Sequence, residues 1–228
     1  VGKAGVDEVG YCSVTGQKAP LARLFPQVTG VPGAQSSGAS LVSFNFEASK
    51  SYGKDQTYNA SISEDAAFRA GTALKYLLGN SSRRVSLGGT IMTYWTDAPS
   101  PAADEVMGWL FGKSLGSRAE DKSTLDAVST ALEEMRRGRV PSSFNPEVGY
   151  CILGVSPNAA RLSVRYFERG TLGELAKRFG QYLRDMEIVG VSRAVAPWQA
   201  LMQPASLGKA DGLPQTLVAE TMRAMLRG

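Results

Sequence analysis

The clearest alternation along the chain runs from Ala39 to Phe46, where Val42, Phe44 and Phe46 interleave with Leu41, Ser43 and Asn45. Period two over eight residues predicts a strand with one apolar and one mixed face. Before it, residues 1–38 are rich in Gly, Pro, Ser and Gln and carry turn pairs such as Pro32-Gly33, so loops are expected there. After it, the spacing changes to helical. Ser61-Ile-Ser-Glu64 has the S-x-x-E spacing of a capping box, and Gly79 stands where a helix would close. Phe68, Leu74, Leu77 and Leu78 are the expected buried stripe.

Arg84 to Trp95 predicts two short strands around Gly88-Gly89, and helical stretches follow near Pro101–Leu115 and Lys122–Arg137. The second ends in Arg136-Arg137-Gly138-Arg139, cations suited to the negative end of a helix dipole. Val148–Val155 and Arg161–Phe167 flank the turn residues Ser156 to Ala159, a hairpin signal. In its second arm Leu162, Val164 and Tyr166 share one face, and Arg161, Ser163 and Arg165 the other. Like-faced residues repeat at about 6.8 Å, a spacing at which two guanidinium groups could follow a phosphate backbone. Thr171-Leu-Gly-Glu174 is a second capping box. It opens a helix with Leu175, Phe179, Tyr182 and Met186 inward and Lys177, Arg178 and Arg184 outward. A last helix is expected from about Gln215 to Leu226.

These elements predict an α+β fold: a mixed core of short, mostly antiparallel strands with packed helices, and the start of a C-terminal helical region. The expected division is a core over 1–213 and the first helix of that region over 214–228. With Val1 in place of an initiator Met and a helical pattern running to the last residue, the chain reads as part of a longer protein.

Composition narrows the chemistry. The hydrophobic fraction of 43% and charged fraction of 20% are ordinary for a globular chain. No apolar run approaches the ~20 residues of a bilayer span, and a cytoplasmic location with no membrane partner is expected. Histidine is absent, which removes Ser-His and Cys-His nucleophiles and His-ligated zinc. Cys12 and Cys151 lie far apart and outside any metal-ligand spacing, so free thiols are expected. Neither a metal nor a cofactor is expected. Residues 1–150 hold 15 basic and 15 acidic side chains, whereas residues 151–228 hold 10 and 6. The surplus in the last third suits a polyanionic partner, or simply a basic solvated surface.

Ser51-Tyr-Gly-Lys54 has the S-x-x-K spacing of penicillin-binding proteins, but Gly53 interrupts the helix that this chemistry needs, and no S-D-N or K-T-G partner follows. No phosphate-loop motif is present, and the adjacent pairs Asp104-Glu105 and Glu133-Glu134 point apart on their helices. Segment 45–59 is different. It gathers Asn45, Lys50, Ser51, Tyr52, Lys54, Gln56, Tyr58 and Asn59. Amides fork against base edges, lysines meet phosphates and a tyrosine stacks on an unpaired base. The same residues also suit a polar loop that satisfies its own backbone.

Several stretches resemble one family. Leu41-Val-Ser-Phe-Asn45, Ser51-Tyr-Gly-Lys54, Gln56, Asn59-Ala and Ser63 are similar to a signature of the type I-C CRISPR Cascade large subunit. So are Tyr11-Cys-Ser-Val-Thr-Gly16, Leu153 to Arg165, and Val218 to Gly228, the last resembling the opening of that family's helical C-terminal region. Phe25 departs from the pattern, which usually has His before the proline. The resemblance implies a non-catalytic subunit of a surveillance ribonucleoprotein in antiviral defence. Its expected roles are to help recognise the protospacer-adjacent motif (PAM) of target double-stranded DNA, to stabilise the opened duplex, and to support recruitment of a helicase-nuclease. Base pairing to the CRISPR RNA supplies sequence specificity, as in the Cas9 type. Further partners implied are the backbone and small Cascade subunits. Asn45, Lys54, Gln56 and Asn59 are the candidates for duplex contact, and Asn158, Arg161 and Arg165 for backbone or guide-RNA contact. The alternative is a scaffold that contacts other subunits and the CRISPR RNA without reading DNA bases.

Overall fold

A computed structural model describes residues 8–112, 120–187, 189–190, 195–205 and 209–227. Two compact units emerge: residues 1–79 with 157–163, and residues 80–156 with 164–228. The architecture is α+β, with mixed sheets and packed helices.

In the first unit β1 (Val9–Tyr11) pairs antiparallel with β2 (Lys18–Pro20), and β3 (Gln27–Val28) with β4 (Ala39–Ser40). The opening segment therefore holds more regular structure than its Gly/Pro content suggests, though its residues 1–7 lie outside the described ones. The strand expected over Ala39–Phe46 stops at Ser40. Its alternation continues outside any strand, and residues 41–44 are half-buried, with Leu41 and Val42 in a bend. Helix α1 (Glu64–Gly79) follows. Its cap is Ser63 rather than Ser61: the Ser63 hydroxyl accepts from Ala66 N at 3.3 Å, while Ser61 sits at φ 49°. The buried stripe is Ala67, Gly71, Leu74 and Leu78, and Phe68 is 66% exposed. Small residues replaced the large ones because Pro26 lies against Gly71, where a Cβ would come within 2.8 Å of it.

The second unit is built on strands β5 (Arg84–Leu87), β6 (Thr90–Thr96), β7 (Gly149–Asn158) and β8 (Arg161–Thr171), in the order β8-β7-β6-β5. Residues 157–163, the hairpin tip, belong to the first unit, where Arg161 pairs in parallel with Ser40 of β4. Gly88 and Gly89 turn β5 into β6 at φ 56° and 70°, as expected for a two-residue hairpin. The β7–β8 turn falls at Ala159-Ala160, two residues beyond the Ser-Pro signal, because Pro157 is accommodated at the end of β7.

One face of this sheet carries Met92, Tyr94, Tyr150, Ile152 and Tyr166 into the main core. Helices α2 (Pro101–Phe111), α3 (Glu120–Arg136), α4 (Leu172–Asp185), α5 (Pro197–Met202) and α6 (Gln215–Arg227) supply its other side, with Val106, Phe111, Met135, Phe179 and Met222. The expected end of α2, residues 113–115, lies outside the described residues, as does Gly228. The second capping box forms on both sides: Glu174 N donates to Thr171 Oγ1 at 3.3 Å and Thr171 N to Glu174 Oε2 at 3.0 Å. Leu183 is buried where Met186 was expected, and Arg178 is not an outward cation, since it donates to Leu226 O at 2.8 Å. No helix of the described residues is long and apolar enough to cross a membrane.

Candidate nucleic-acid interface

The polar segment after β4 folds as a sequence of turns. Short 3-10 turns at Glu47–Ser49 and Gln56–Asn59 flank a hairpin-like reversal at Ser51–Lys54, closed by Lys54 N donating to Ser51 O at 3.0 Å. Tyr52 and Gly53 both lie at positive φ, 53° and 68°. Glycine accepts that conformation freely, whereas a tyrosine there costs about 1–2 kcal/mol. The turn leaves Tyr52 98% exposed. Ser51 opens no helix, which removes the geometry required by S-x-x-K chemistry.

Asn59 holds the loop in this shape. Its Nδ2 donates to Lys54 O and Gln56 O, both at 3.0 Å, and its Oδ1 accepts from Ser51 N at 2.9 Å and Ser51 Oγ at 3.4 Å. Both amide donors are thus spent on the loop's own chain. Lys50 is similarly occupied, donating to Glu47 Oε1 at 2.8 Å and pairing with Asp55 Oδ1 at 2.9 Å. Those two carboxylates, Glu47 first, raise the Lys50 pKa. Its charge is locally cancelled.

Other groups face outward. Asn45 is exposed, its Oδ1 accepting from Ser43 Oγ at 2.9 Å. Gln56 Oε1 accepts from Arg23 Nη1 at 2.9 Å, and Thr57 N donates to Arg23 O at 3.2 Å, so the loop is docked on the Arg23 segment. Lys54 has a long contact to Ser61 Oγ at 3.4 Å. Arg23, Phe44, Asn45, Lys50, Asp55, Gln56 and Tyr58 line a groove of about 640 Å³. Arg161 lies over the exposed ring of Phe46, 4.9 Å from its centroid, so the hairpin tip with exposed Asn158 joins the same unit. Among the described residues Arg23, Lys54 and Arg161 form no ion pair with a carboxylate.

Arg165 stands apart from this group. It belongs to the second unit, where its Nη2 donates to Gln215 Oε1 at 2.6 Å and Arg223 Nη2 donates to its carbonyl at 2.8 Å. Sequence reasoning missed Arg23 and the Phe46–Arg161 contact. Neither leaves a local signal, because the partners are 33 and 115 positions apart. The Glu47–Lys50–Asp55 cluster did leave one, since glutamate three residues before lysine often pairs with it.

The described residues thus form an α+β fold with a polar groove cut into a turn-built surface of its first unit. Residues 2–228 match the model of the family described as CRISPR-associated protein (Cas_Csd1), and the chain belongs to this Cascade-type family. A search of curated proteins finds no match.

Proposed function

We propose that the chain is the non-catalytic core of the large subunit of a type I-C surveillance complex, acting in the cytoplasm. In this role its first-unit groove contacts target duplex DNA near the PAM. The observation that carries this reading is the groove itself, an amide-lined concavity that Arg23 also lines, in the same unit as Lys54 and Arg161; among the described residues these three cations form no ion pair. Gln56 and Asn45 present amides for base edges, with Arg23 bracing Gln56. Lys54 and Arg161 supply phosphate contacts, and Tyr52 offers a ring to an unpaired base. Asn59, Lys50 and Ser51 act indirectly by holding the loop. Asn158 at the hairpin tip and Arg165 on β8 contribute to contacts with backbone or CRISPR RNA. Helix α6 opens a helical region that packs on the backbone and small subunits, and the bound duplex presents the surface to which a helicase-nuclease is recruited.

The scaffold alternative has its own support, because Leu24, Phe68 and Tyr76 are 57%, 66% and 67% exposed in the same unit. A photoreactive benzophenone side chain installed at position 52 of the assembled complex separates the two. Attachment to target DNA is expected. Attachment to a neighbouring protein subunit alone would favour the scaffold.

A further inference from the structure

The second-unit sheet has another face. Strand residues alternate sides, and Tyr94, Ile152 and Tyr166 point into the helical core. Their neighbours Trp95, Cys151 and Phe167 therefore lie on the opposite side. Trp95 is directly opposite Cys151 in the β6–β7 ladder, and the Trp95 and Phe167 rings sit with centroids 6.4 Å apart at 33°. Trp95 is half-buried and Phe167 48% exposed, so both rings meet solvent. Arg169, two residues beyond Phe167, shares this face and is exposed. Its charge reaches the Cys151 thiol, where it lowers a pKa that burial raises. Among the described residues Arg169 has no carboxylate partner, and the one acid that also acts on Cys151, Asp97, is engaged by Gly149 N at 2.9 Å.

We propose that this face is a stacking platform for an unpaired stretch of nucleic acid, with bases on Trp95 and Phe167 and a phosphate on Arg169. The combination is what favours that occupant. Here the rings stand on β6 and β8 with β7 between them, and aromatic rings displayed on one face of a sheet are a surface on which single-stranded segments splay their bases; stacking accepts any base. An unneutralised guanidinium beside the rings selects a polyanion over an apolar protein surface. The platform belongs to a different unit from the groove described above and stands whether or not that groove contacts duplex DNA.

The test uses the whole chain with two probes, a twelve-nucleotide oligothymidylate and the matching oligouridylate, titrated by fluorescence anisotropy. Trp95→Leu and Phe167→Leu should each weaken binding by roughly tenfold or more. Trp95→Phe, which keeps a ring, should bind within about threefold of wild type. Arg169→Ala should reduce the log–log salt slope by about 0.7. A second measurement, ultraviolet cross-linking of the unsubstituted chain with halogenated oligonucleotides, should map to the peptides containing Trp95 or Phe167 and does not depend on how a leucine variant folds. Preference for one probe over the other identifies DNA or RNA as the source of the strand. Unchanged affinity in both leucine variants, with cross-links elsewhere, would overturn the platform. So would loss of assembly with other subunits at unchanged oligonucleotide affinity, which would mark the face as a protein interface. A Lys75→Ala control at an exposed position of α1, outside both surfaces, should leave single-strand binding intact, and the duplex contact is read separately on double-stranded probes, so failure here is distinguishable from failure of that contact.

Discussion

The two units put their polar chemistry on very different supports. In the second, Arg165 and Arg169 lie on a long strand of a regular ladder, backed by capped helices. In the first, Tyr52, Gln56, Ser61 and Ala159 all hold positive φ, and they are the four non-glycine residues that do so among the described ones. Backbone in sparsely populated regions persists only where its surroundings over-determine it, and here the determinants are Asn59, the Glu47–Lys50–Asp55 cluster and the Arg23–Gln56 bond. A regular support fixes side chains through burial; an irregular one fixes them through side-chain hydrogen bonds. The regular unit should therefore fail by core damage and the irregular one by loss of single polar groups.

The largest expected effect lies in the regular unit. Phe179→Ala removes a ring that is 1% exposed at the centre of the α4 contact and should cost about 3–5 kcal/mol. All three tryptophans, Trp95, Trp109 and Trp198, lie in that unit, so urea unfolding followed by their fluorescence reports it directly.

Next in size is Asn59→Ala, which leaves the Lys54 and Gln56 carbonyls and the Ser51 N–H without their partner. Local opening of 51–59 should become easier by about 1–3 kcal/mol. Hydrogen exchange should show faster labelling confined to that loop, with the tryptophan unfolding curve unchanged.

Much of the regular unit was legible from sequence because its signals are local. Gly88-Gly89, Thr171 with Glu174, and the period-two run on β8 each specify a turn, a cap or a strand within a few residues. The α+β class followed from them. The irregular unit was legible only as a polar segment. Whether Asn59 faces a base or its own loop is decided by carbonyls three and five residues earlier, whose direction depends on the left-handed residues Tyr52, Gly53 and Gln56. Phe68 looked like core because of its type and spacing, yet Pro26 leaves room for only Gly71 at the contact. Val164 followed the apolar alternation of β8 and is 51% exposed. Resemblance to the family did more for the functional reading than any periodicity, since the arginine spacing on β8 fits a solvated surface as well as a polyanion.

A smaller effect of opposite sign is expected at Tyr52. Replacing it with Gly relieves the left-handed strain while adding freedom to the unfolded chain, so Tyr52→Asn, which tolerates that conformation, is the cleaner substitution. It should stabilise the loop by up to about 1 kcal/mol in exchange measurements while removing the exposed ring.

A last effect concerns pH. Cys12 Sγ accepts from Ser63 N at 3.2 Å, just before α1. The Ser63 hydroxyl and N–H, acting against burial, lower the thiol from an ordinary 9.0 to about 6. A depressed folded pKa gives stability that is complete above about 9 and lost as pH falls through about 6. Cys12→Ser should flatten that slope for first-unit exchange between pH 6 and 9 without altering second-unit unfolding, and thiolate absorbance should disappear with it.

The decisive measurement is the motif preference of the assembled complex carrying Gln56→Ala, read by selection on duplexes with a randomised motif beside a matched target. If Gln56 reads base edges in the groove, the spread between preferred and rejected motifs should shrink by about 1–3 kcal/mol while binding to the rejected ones stays the same. An unchanged spread, or an equal loss on every motif, would contradict base reading by this groove.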